Sequence, residues 1–407
     1  MHADHIFASL RRHKTFSVLI ALEVALCCAI LCNAMYFVSQ RIDRMRMVSG
    51  LAENEVVRIR PMDTQPVENP DALGEEDLAA LRAIPGVKFA AQSSMMPMSE
   101  SDDAIPIRLD PEEKAPRLQA TVYFGDRHLL DAMGLTLVQG RRFGADDEVL
   151  WPYEQEDMPV LPHAIVTRGL AEQLFQGDNP LGKVFYSDTS APIRIVGIVA
   201  NLKRGYVLGK EEGFDNSVIF PVRAPYQSFY GNYVIRTSPE RRQDVLDAAV
   251  AKLTAIQRKR VMFSKDTFEE IRANYFRKDS ALTWALTSVC VALMAVTAFG
   301  IVGISSFWVQ TRSKQIGIRR ALGSTRQQIL GHFLIENAIL VGGGAAFGVF
   351  LAYAVNDVLM GKYEFERLPP TYALAGAAIV FVVGQLSVLQ PALRAASLSA
   401  AEAIREA

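Results

Sequence analysis

The sequence predicts an α-helical membrane protein with four transmembrane helices and a large α+β periplasmic domain between the first and the second helix. Four apolar runs carry this prediction, because each is long enough to cross a hydrocarbon core about 30 Å thick. These runs are residues 15–40, 280–311, 327–356 and 368–393. Their only formal charges are Glu23 in the first run and Glu336 in the third. Residues 41–279, between the first two runs, alternate strand-like and helix-like patterns, which predicts the folded domain.

The first run is interpreted as an uncleaved anchor and not as a signal peptide. Its apolar core is longer than a typical signal-peptide core, and no small-x-small cleavage site follows it. Residues 1–14 then form a short N-terminal segment before the first helix.

Lysine and arginine predict the orientation of the helices, because cytoplasmic loops of membrane proteins carry an excess of these residues. They are Arg11, Arg12 and Lys14 before the first run, Arg312, Lys314, Arg319, Arg320 and Arg326 between the second and third, and Arg394 and Arg405 after the fourth. The segments predicted to be cytoplasmic are therefore residues 1–14, 312–326 and 394–407. Residues 41–279 and a short loop, 357–367, are predicted to face the opposite side.

The composition argues against several classes of function. The chain is 50% hydrophobic and 21% charged with a formal net charge of -1, which argues against nucleic-acid binding as its main task. The four cysteines, Cys27, Cys28, Cys32 and Cys290, all lie in the apolar runs, so no disulfide is predicted in the external domain. No H-E-x-x-H motif and no Cys/His set at ligand spacing occurs, so neither a metal site nor a catalytic site is predicted.

The external region is predicted to contain two similar strand–helix–strand halves around an insert. The predicted elements are a strand over 54–60, a helix over 75–84 and a strand over 87–91, and later a strand over 233–236, a helix from about 239 to 253 and a strand over 261–264. The insert, about 92–229, is mixed and rich in strands. Residues 41–49 and 267–278 are predicted to extend the first and second membrane helices as stalks.

A basic segment between the second and third runs carries the most specific motif. Residues 315–327 read Gln-Ile-Gly-Ile-Arg-Arg-Ala-Leu-Gly-Ser-Thr-Arg-Gln, and residues 333–336 read Phe-Leu-Ile-Glu. This resembles the cytoplasmic coupling segment of MacB/FtsX-type ABC transporter permeases, where E-I-G-I-R-R-A-L-G-A precedes a helix ending F-L-x-E. Gln315 stands where the family has glutamate.

The spacing of apolar residues predicts that the coupling segment, 312–326, is amphipathic. Ile316, Ile318 and Leu322 are predicted to share an apolar side with Ile329, opposite a side that carries Arg319, Arg320 and Arg326. Such a segment is suited to docking in a groove of a partner protein. The alternative is a basic stretch that only fixes the topology and binds anionic lipid headgroups.

Two further regions resemble the same family. The insert contains Gly-Arg-Arg-Phe at 140–143, Leu-Ala-Glu-Gln-Leu-Phe at 170–175, Asn-Pro-Leu-Gly-Lys at 179–183 and Ile-Val-Gly-Ile-Val at 195–199, which is similar to the MacB-like periplasmic core domain. The C-terminal residues 391–405 are similar to the end of the FtsX-like permease domain, although Ala400 replaces the usual proline. We interpret the motifs of the insert as scaffold.

The resemblance implies a non-catalytic permease subunit in the inner membrane of a bacterium, with its large domain in the periplasm. In this family the membrane helices transmit ATP-driven motion to the periplasmic domain, a mechanism called mechanotransmission, and the implied output is export of a substrate from the periplasm or membrane. An alternative output is that of an FtsX-like signalling complex, which activates a cell-wall hydrolase without transport.

The partners are also implied by the resemblance. The chain contains no G-x-x-x-x-G-K-[ST] motif, and only about 15 residues precede the first run, so ATP and Mg are expected on a separate ABC ATPase dimer and no cofactor is expected in this chain. A second permease chain, identical or different, is expected to complete a dimer. A periplasmic adaptor and an outer-membrane channel are further candidate partners, and membrane lipid surrounds the helices.

The residues with an expected functional role form three sets. The ATPase-coupling residues are Gln315, Ile316, Gly317, Ile318, Arg319, Arg320, Leu322, Gly323 and Arg326. Glu23 and Glu336 are intramembrane polar positions. Glu336 is expected either to form an interfacial hydrogen bond or to have a coupling or proton-linked role, and Glu23 is expected either to pack against the third or second membrane run or to have a substrate role. Gly344 and Gly348 are expected to allow close helix packing.

Overall fold

The structure is a computed structural model that describes residues 14–99, 103–113, 115–151, 158–188, 191–205, 215–223, 231–363 and 366–397. Most of the predicted N-terminal segment and the tail after Ser397 lie outside the described residues. So do residues 152–157, which belong to a stretch rich in acidic residues and prolines, 146–162, whose sequence predicts a loop insertion. The chain divides into two units, one comprising Met1–Arg46 with Lys278–Ala407 and the other Met47–Arg277, and each is described by itself.

The bounds of the elements are as follows. The helices are α1 (Lys14–Met45), α2 (Pro70–Arg82), α3 (Leu129–Met133), α4 (Arg168–Phe175), α5 (Arg242–Ile256), α6 (Phe268–Tyr275), α7 (Arg277–Thr311), α8 (Ser313–Ala321), α9 (Arg326–Tyr363) and α10 (Pro370–Ser397). The strands are β1 (Val56–Asp63), β2 (Val87–Ser93), β3 (Ala104–Ile107), β4 (Leu118–Gly125), β5 (Leu137–Gly140), β6 (Val149–Leu150), β7 (His163–Thr167), β8 (Val184–Phe185), β9 (Ile193–Val199), β10 (Ser217–Arg223), β11 (Asn232–Thr237) and β12 (Arg260–Thr267).

The first unit contains four helices that are long and apolar enough to cross a membrane, namely α1, α7, α9 and α10. Helix α9 packs along both α1 and α10, and buried residues of these three helices form most of the unit's apolar core. Helix α7 is much less covered. Only 17% of its most apolar stretch is buried in the protein, compared with 56% for α1. Together with the sheet-rich second unit, these four helices confirm the predicted fold class.

Several helix ends differ from the sequence-based bounds. Helix α9 continues from the predicted boundary at Asn356 to Tyr363, because a charged residue such as Asp357 ends an apolar run without ending a helix. The predicted stalks are shorter than expected. Helix α1 ends at Met45 instead of reaching Ser49, and α6 is separated from α7 at Phe276, which has φ -87° and ψ 7°.

The second unit is built on one sheet with the strand order β12-β1-β11-β2-β4-β10-β7-β9-β5. Its first four strands come from the two predicted halves, and each neighbouring pair is antiparallel. The halves interleave, since β11 from the second half lies between β1 and β2 from the first. Helices α2 and α5 cover one face of these strands, around a core that includes Ile59, Leu81 and Tyr233.

The insert continues the same sheet and has its own apolar core. Strand β10 runs parallel to β4 and antiparallel to β7, while β7 runs parallel to β9. Helix α4 packs on β7 and β9 and places Leu170 and Leu174 in this second core. The predicted mixed, strand-rich insert is therefore present between the two halves.

Local interactions explain where the helices of the second unit begin. The side chain of Asn69 accepts a hydrogen bond from the backbone of Ala72 at 3.0 Å, and Pro70 occupies the first turn of α2. Helix α6 begins with a capping box between Thr267 and Glu270. These caps satisfy backbone N–H groups that have no partner within the first turn of a helix.

Candidate functional site

The candidate site is the coupling segment at the ends of three membrane helices. At its start, Arg312 follows the last residue of α7 and turns its guanidinium towards α9. One nitrogen of this guanidinium donates to both carboxylate oxygens of Glu336, at 3.2 Å each. The guanidinium also lies over the ring of Trp308, 5.3 Å from the ring centre, an arrangement that is favourable for a cation.

The Arg312–Glu336 pair is largely shielded from solvent. The Glu336 side chain is 3% exposed and that of Arg312 is 15% exposed. A carboxylate at this depth requires a charged partner, because burial of an unpaired charge is costly. The pair therefore fixes the end of α7 to the third membrane helix.

The end of α8 is defined by Gly323 in the left-handed conformation, with φ +96°. The backbone of Ser324 donates to the carbonyl of Arg319, and that of Gly323 donates to the carbonyl of Arg320, which closes the last turn. Thr325 and Gln328 then form the first-turn hydrogen bonds of α9. This sharp turn makes α8 a separate short helix between α7 and α9.

The inner side of α8 packs into a small apolar cluster. Ile316 is buried there with Val309 of α7, Ile329 and Phe333 of α9, and Ala392, Ala395 and Ala396 of α10. Gly317 is also buried. The cluster therefore joins α8 to the ends of all three neighbouring membrane helices.

Arg320 also points inwards. Its guanidinium donates a 2.7 Å hydrogen bond to the backbone carbonyl of Ala396, near the end of α10. Arginine side chains near a helix C-terminus can satisfy carbonyl groups that have no partner within the helix. Arg320 thus contributes to attachment of α8 and not to its exposed surface.

The outer side of α8 combines apolar and polar residues. Gln315, Ile318, Arg319 and Leu322 are exposed and follow the spacing i, i+3, i+4, i+7, so they form one stripe along the helix, which we call the outer stripe. Ile318 is 52% exposed and Leu322 is 82% exposed. Gly323 and Arg326 continue this exposed surface beyond the helix.

This arrangement corrects the sequence-based division of the segment into one apolar and one basic side. Ile316 and Ile329 are buried, whereas Ile318 and Leu322 are on the outside with Arg319. The division was wrong because Ile316 and Ile318 are two residues apart on α8, which places them about 200° apart around the helix, and because the turn at Gly323 places Ile329 on the next helix.

Glycines allow the membrane helices to approach closely. A methyl group at Gly348 would lie 2.6 Å from the carbonyl oxygen of Ala25, and one at Gly344 would lie 2.9 Å from that of Ala21. Gly376 and Gly384 of α10 are in equally close contacts, with Cys32 and Val341. Small residues at such crossings bring helix backbones together, which favours packing where lipid replaces water.

Polar side chains form hydrogen bonds between helices of the same bundle. Asn33 donates to the carbonyl of Ala352 at 3.1 Å, and Asn337 donates to that of Gly384 at 3.0 Å. At the other end of the bundle from the coupling segment, Arg41 and Asp279 form an ion pair at 2.5 Å that joins α1 to α7. Helix α7 is thus connected to the bundle by an ion pair near each end.

Glu23 is half-buried on the side of α1 that faces α7. Its carboxylate oxygens lie 2.8 and 2.9 Å from the position that a methyl group would take at Gly300. Glu23 therefore packs against the backbone of the second membrane helix. Within the described residues, no hydrogen bond or ion pair reaches its carboxylate.

The motifs of the insert occupy structural positions. Gly140 has φ +80°, and a side chain there would collide with the carbonyl oxygen of Val196. Arg141 binds Asp147 through both terminal nitrogens, at 2.5 and 2.9 Å. The bonded Arg141 guanidinium lowers the pKa of Asp147 to about 2. In the part of the chain that the structure describes, no three His, Cys, Asp or Glu residues are grouped as metal ligands.

The four apolar helices and the sheet-rich second unit define an integral membrane protein with a large folded domain between its first two membrane helices. Residues 20–255 match the family model of the MacB-like periplasmic core domain, and residues 287–400 match that of the FtsX-like permease C-terminal domain. The chain belongs to the ABC transporter permeases of the MacB/FtsX type. The resemblance inferred from the sequence motifs is therefore confirmed.

The similar proteins are named either as a permease or as a combined ATP-binding/permease protein. The chain is 25% identical over 374 residues to the uncharacterized ABC transporter permease YknZ of Bacillus subtilis, covering 88% of this chain and 86% of that protein. It is 26% identical over 290 residues to the macrolide export ATP-binding/permease protein MacB of Chromobacterium violaceum, covering 70% of this chain and 43% of that protein. It is 24% identical over 415 residues to MacB of Shewanella oneidensis, and this match covers 97% of this chain and 58% of that protein. The chain thus spans about half the length of these MacB proteins.

Two solved structures are also similar. One is the extracellular domain of the transporter YknZ from Gram-positive bacteria. The match covers 51% of this chain and 100% of the YknZ domain, with 18% sequence identity and a TM-score of 0.31. The other is the periplasmic region of MacB from Actinobacillus actinomycetemcomitans. The match covers 58% of this chain and 97% of that region, with 12% sequence identity and a TM-score of 0.33.

Proposed function

We propose that this permease couples ATP hydrolysis by a separate ABC ATPase to a conformational change of its external domain, for export of a substrate from the periplasm or membrane. Two such chains, identical or different, would work with an ATPase dimer in the inner membrane of a bacterium. The observation that carries this proposal is the placement of α8, which has one exposed side and is attached to three membrane helices on the other.

The outer stripe is the proposed docking surface for the ATPase. An exposed apolar residue such as Leu322 beside a positively charged residue such as Arg319 suits a partner groove with apolar walls and acidic margins. Arg319 at the margin of such a contact is expected to govern partner selection more than folding.

The inner side of α8 supports mechanical transmission. Three contacts attach α8, and the residue that precedes it, to the membrane helices. They are the ion pair of Arg312 with Glu336, the hydrogen bond from Arg320 to the Ala396 carbonyl, and the packing of Ile316. Because packed interiors are not continuously deformable, displacement of α8 would move the ends of α7, α9 and α10 together. Motion of the ATPase would then reach the external domain through these helices.

Other features support a separate ATPase. The sequence contains no P-loop motif, whereas the names of the MacB relatives include an ATP-binding part. Glycine, alanine and apolar contacts dominate the described membrane bundle, which suits helix packing better than a polar conduit.

The test is co-purification of the tagged chain from native membranes, with identification of bound proteins by mass spectrometry. We expect an ABC ATPase with the wild-type chain and its loss from the Arg319→Glu/Leu322→Asp variant, which changes only the outer stripe. Lys362→Glu is the matched control, because it reverses an exposed charge near the other end of α9. Retention of the ATPase by the stripe variant would contradict the docking surface.

The alternative output, activation of a cell-wall hydrolase, uses the same coupling and differs in the external partner. The co-purification separates the two outputs. A peptidoglycan hydrolase bound to the external domain would favour signalling, whereas an adaptor protein and an outer-membrane channel would favour export.

A further inference from the structure

The chain crosses between its two units at two places, and both crossings lead into short segments of the second unit. Residues 47–53 follow α1, and α6 precedes α7. Motion of the membrane helices can therefore reach the second unit along these two connections. Contacts inside the second unit decide whether the two connections move together or separately.

Arg272 of α6 ties the two connections to each other. One terminal nitrogen of its guanidinium donates to the carboxylate of Glu53 at 2.7 Å, and the other donates to the carbonyl of Met47 at 2.8 Å. The guanidinium also lies 5.7 Å from the centre of the Phe276 ring, at the break between α6 and α7. Because the guanidinium is planar and its donors form a rigid fork, two such bonds set the orientation of the segments as well as their distance.

Ser49 binds the same oxygen of Glu53. Its hydroxyl donates to that oxygen at 2.7 Å, and its backbone N–H donates to it at 3.3 Å. Ser49 is fully buried, and its hydroxyl also accepts a hydrogen bond from the backbone of Leu51 at 3.2 Å, which closes a tight turn. Arg272, Glu53 and Ser49 thus form one connected network, which we call the joint.

The joint is in backbone contact with the insert. The Ser49 carbonyl accepts a hydrogen bond from the backbone of Lys203 at 3.0 Å. The next residue, Gly50, has φ +96°, and a methyl group there would lie 2.2 Å from the carbonyl oxygen of Asn201. Both partners belong to residues 200–204, the loop that follows β9 of the insert. A shift of the joint towards this loop therefore displaces the loop.

The 200–204 loop is itself held to two central strands of the insert. The hydroxyl of Tyr123 on β4 donates to the Lys203 carbonyl at 2.5 Å, and the hydroxyl of Ser217 on β10 donates to the Leu202 carbonyl at 2.8 Å. The Leu202 side chain is fully buried. Because packed interiors are not continuously deformable, displacement of the loop would move both strands.

We infer that Arg272 is a positioning residue of the coupling mechanism, which makes the two connections move as one and directs their motion through the joint into the insert. The inference rests on the proposed function and specifies the route by which motion enters the second unit. Loss of the Arg272 guanidinium leaves Glu53 bound to Ser49 but releases α6 from residues 47–53. The membrane helices would then still move, whereas the insert would no longer follow.

The experiment measures hydrogen–deuterium exchange of the full chain, bound to its co-purified ABC ATPase in lipid nanodiscs, with and without ATP and Mg²⁺. The backbone N–H of Lys203 is the reporter, because it donates to Ser49 across the contact between the joint and the insert. In the wild-type complex we expect ATP to change the exchange of residues 200–204 and of the coupling segment. In Arg272→Gln we expect the change in the coupling segment and the rate of ATP hydrolysis to persist, and the change at 200–204 to be lost.

Two further substitutions examine the joint from both sides. Glu53→Gln removes the charge that Arg272 binds and should cause the same loss. Arg272→Lys keeps a positive charge beside Glu53 and should recover part of the response. Each variant is first checked for an unchanged elution profile in detergent.

Arg58→Gln is the matched control. Arg58 binds Asp266 at 2.7 Å, and the two side chains are 17% and 27% exposed, compared with 21% for Arg272 and 27% for Glu53. This pair joins β1 to β12 and lies outside the joint. We expect Arg58→Gln to lower the midpoint of thermal unfolding about as much as Arg272→Gln but to keep the ATP-dependent change. The comparison separates a role in positioning from a role in stability.

A pair of glycine variants tests the contact between the joint and the insert. Gly50 and Gly177 have nearly the same φ, +96° and +97°, so a side chain strains the backbone equally at both. A methyl group at Gly50 collides with the 200–204 loop, whereas one at Gly177 meets nothing within 4 Å. We expect Gly50→Ala to abolish the ATP-dependent change at 200–204 and Gly177→Ala to retain it.

The possible outcomes separate this inference from the proposed function. An ATP-dependent change at 200–204 that is the same in Arg272→Gln as in the wild type, or that is lost in Arg58→Gln as well, would overturn the role of Arg272 and leave the coupling function standing. Absence of any ATP-dependent change in the second unit of the wild-type chain would overturn both.

Discussion

The guanidinium of Arg312 and the carboxylate of Glu336, 24 positions apart in the chain, form an ion pair that connects the end of the second membrane helix to the third. Removal of one partner leaves the other charged and poorly solvated, which is worse than removal of both. We therefore expect Glu336→Gln to destabilise the membrane unit by about 3 kcal/mol, measured as a lower midpoint of thermal unfolding in detergent.

Two further variants test the pairing. Arg319→Gln removes an exposed arginine of the same segment and should leave the midpoint nearly unchanged. The double variant Arg312→Gln/Glu336→Gln should recover part of the loss, because a double-mutant cycle isolates the interaction between two contacting residues. Additive effects of the two single substitutions would show that the pair contributes no coupling energy.

Close packing of α9 on α1 predicts opposite effects at two glycines. Gly348→Ala places a methyl group 2.6 Å from the Ala25 carbonyl oxygen, so the helices must separate, at a cost of about 1–3 kcal/mol. Gly343→Ala, five residues earlier on the exposed side of the same helix, meets nothing within 4 Å and gains up to about 1 kcal/mol in helix propensity. Thermal unfolding of both variants in one detergent measures the difference. Similar midpoints would contradict the close helix contact.

The main elements of the fold were predictable because each one is specified by a local pattern of apolar and polar residues. Long apolar runs with at most one charged residue each identified the four membrane helices, and apolar alternation located strands such as β1 within a few residues. Helix α2 begins at Pro70, five residues earlier than predicted, although the signals of Asn69 and Pro70 were present in the sequence. The break between α6 and α7 at Phe276 has no such signal, since neither glycine nor proline is nearby.

The candidate site was only partly predictable. Motif resemblance located the coupling segment, but a local pattern cannot show that Arg320 binds the carbonyl of Ala396, 76 positions later. The partner of Glu336 could not be predicted either, because the position of a carboxylate in an apolar run does not identify the residue that pairs with it. Tertiary contacts between distant segments decide which of the predicted coupling residues face outwards.

The orientation predicted from the basic residues can be tested with two cysteine variants. Ala255→Cys on α5 and Ala321→Cys on α8 both introduce a thiol at an exposed position. An impermeant thiol reagent added to the periplasmic side should label the first and not the second. The wild-type chain measures the background, which should be low because its four cysteines are buried. Equal labelling of Ala321→Cys from the periplasm would contradict the topology.

The ion pair of Asp147 with Arg141 is expected to make the stability of the second unit depend on pH. The pKa of Asp147 in the folded protein, about 2, is below the usual value of about 3.9 for an unfolded chain. A group whose pKa is lowered on folding contributes stability above its unfolded pKa, and this contribution is lost as the pH falls towards the folded pKa. Arg141→Gln removes the main cause, so the variant should be less stable at neutral pH and approach the wild type below about pH 4.

The expected magnitude is modest because the Arg141 side chain is 55% exposed and solvent screens the pair. We expect a loss of about 1 kcal/mol at pH 7, measured by urea unfolding of the full chain. The signal is tryptophan fluorescence in a Trp284→Phe/Trp308→Phe background, in which Trp151 of the second unit is the remaining tryptophan. Arg142→Gln is the matched control, since this neighbouring arginine is similarly exposed and binds Asp131 instead, at 3.1 Å. A difference between Arg141→Gln and the wild type that stays constant from pH 7 to pH 3 would show that Arg141 acts through packing and not through the ionisation of Asp147.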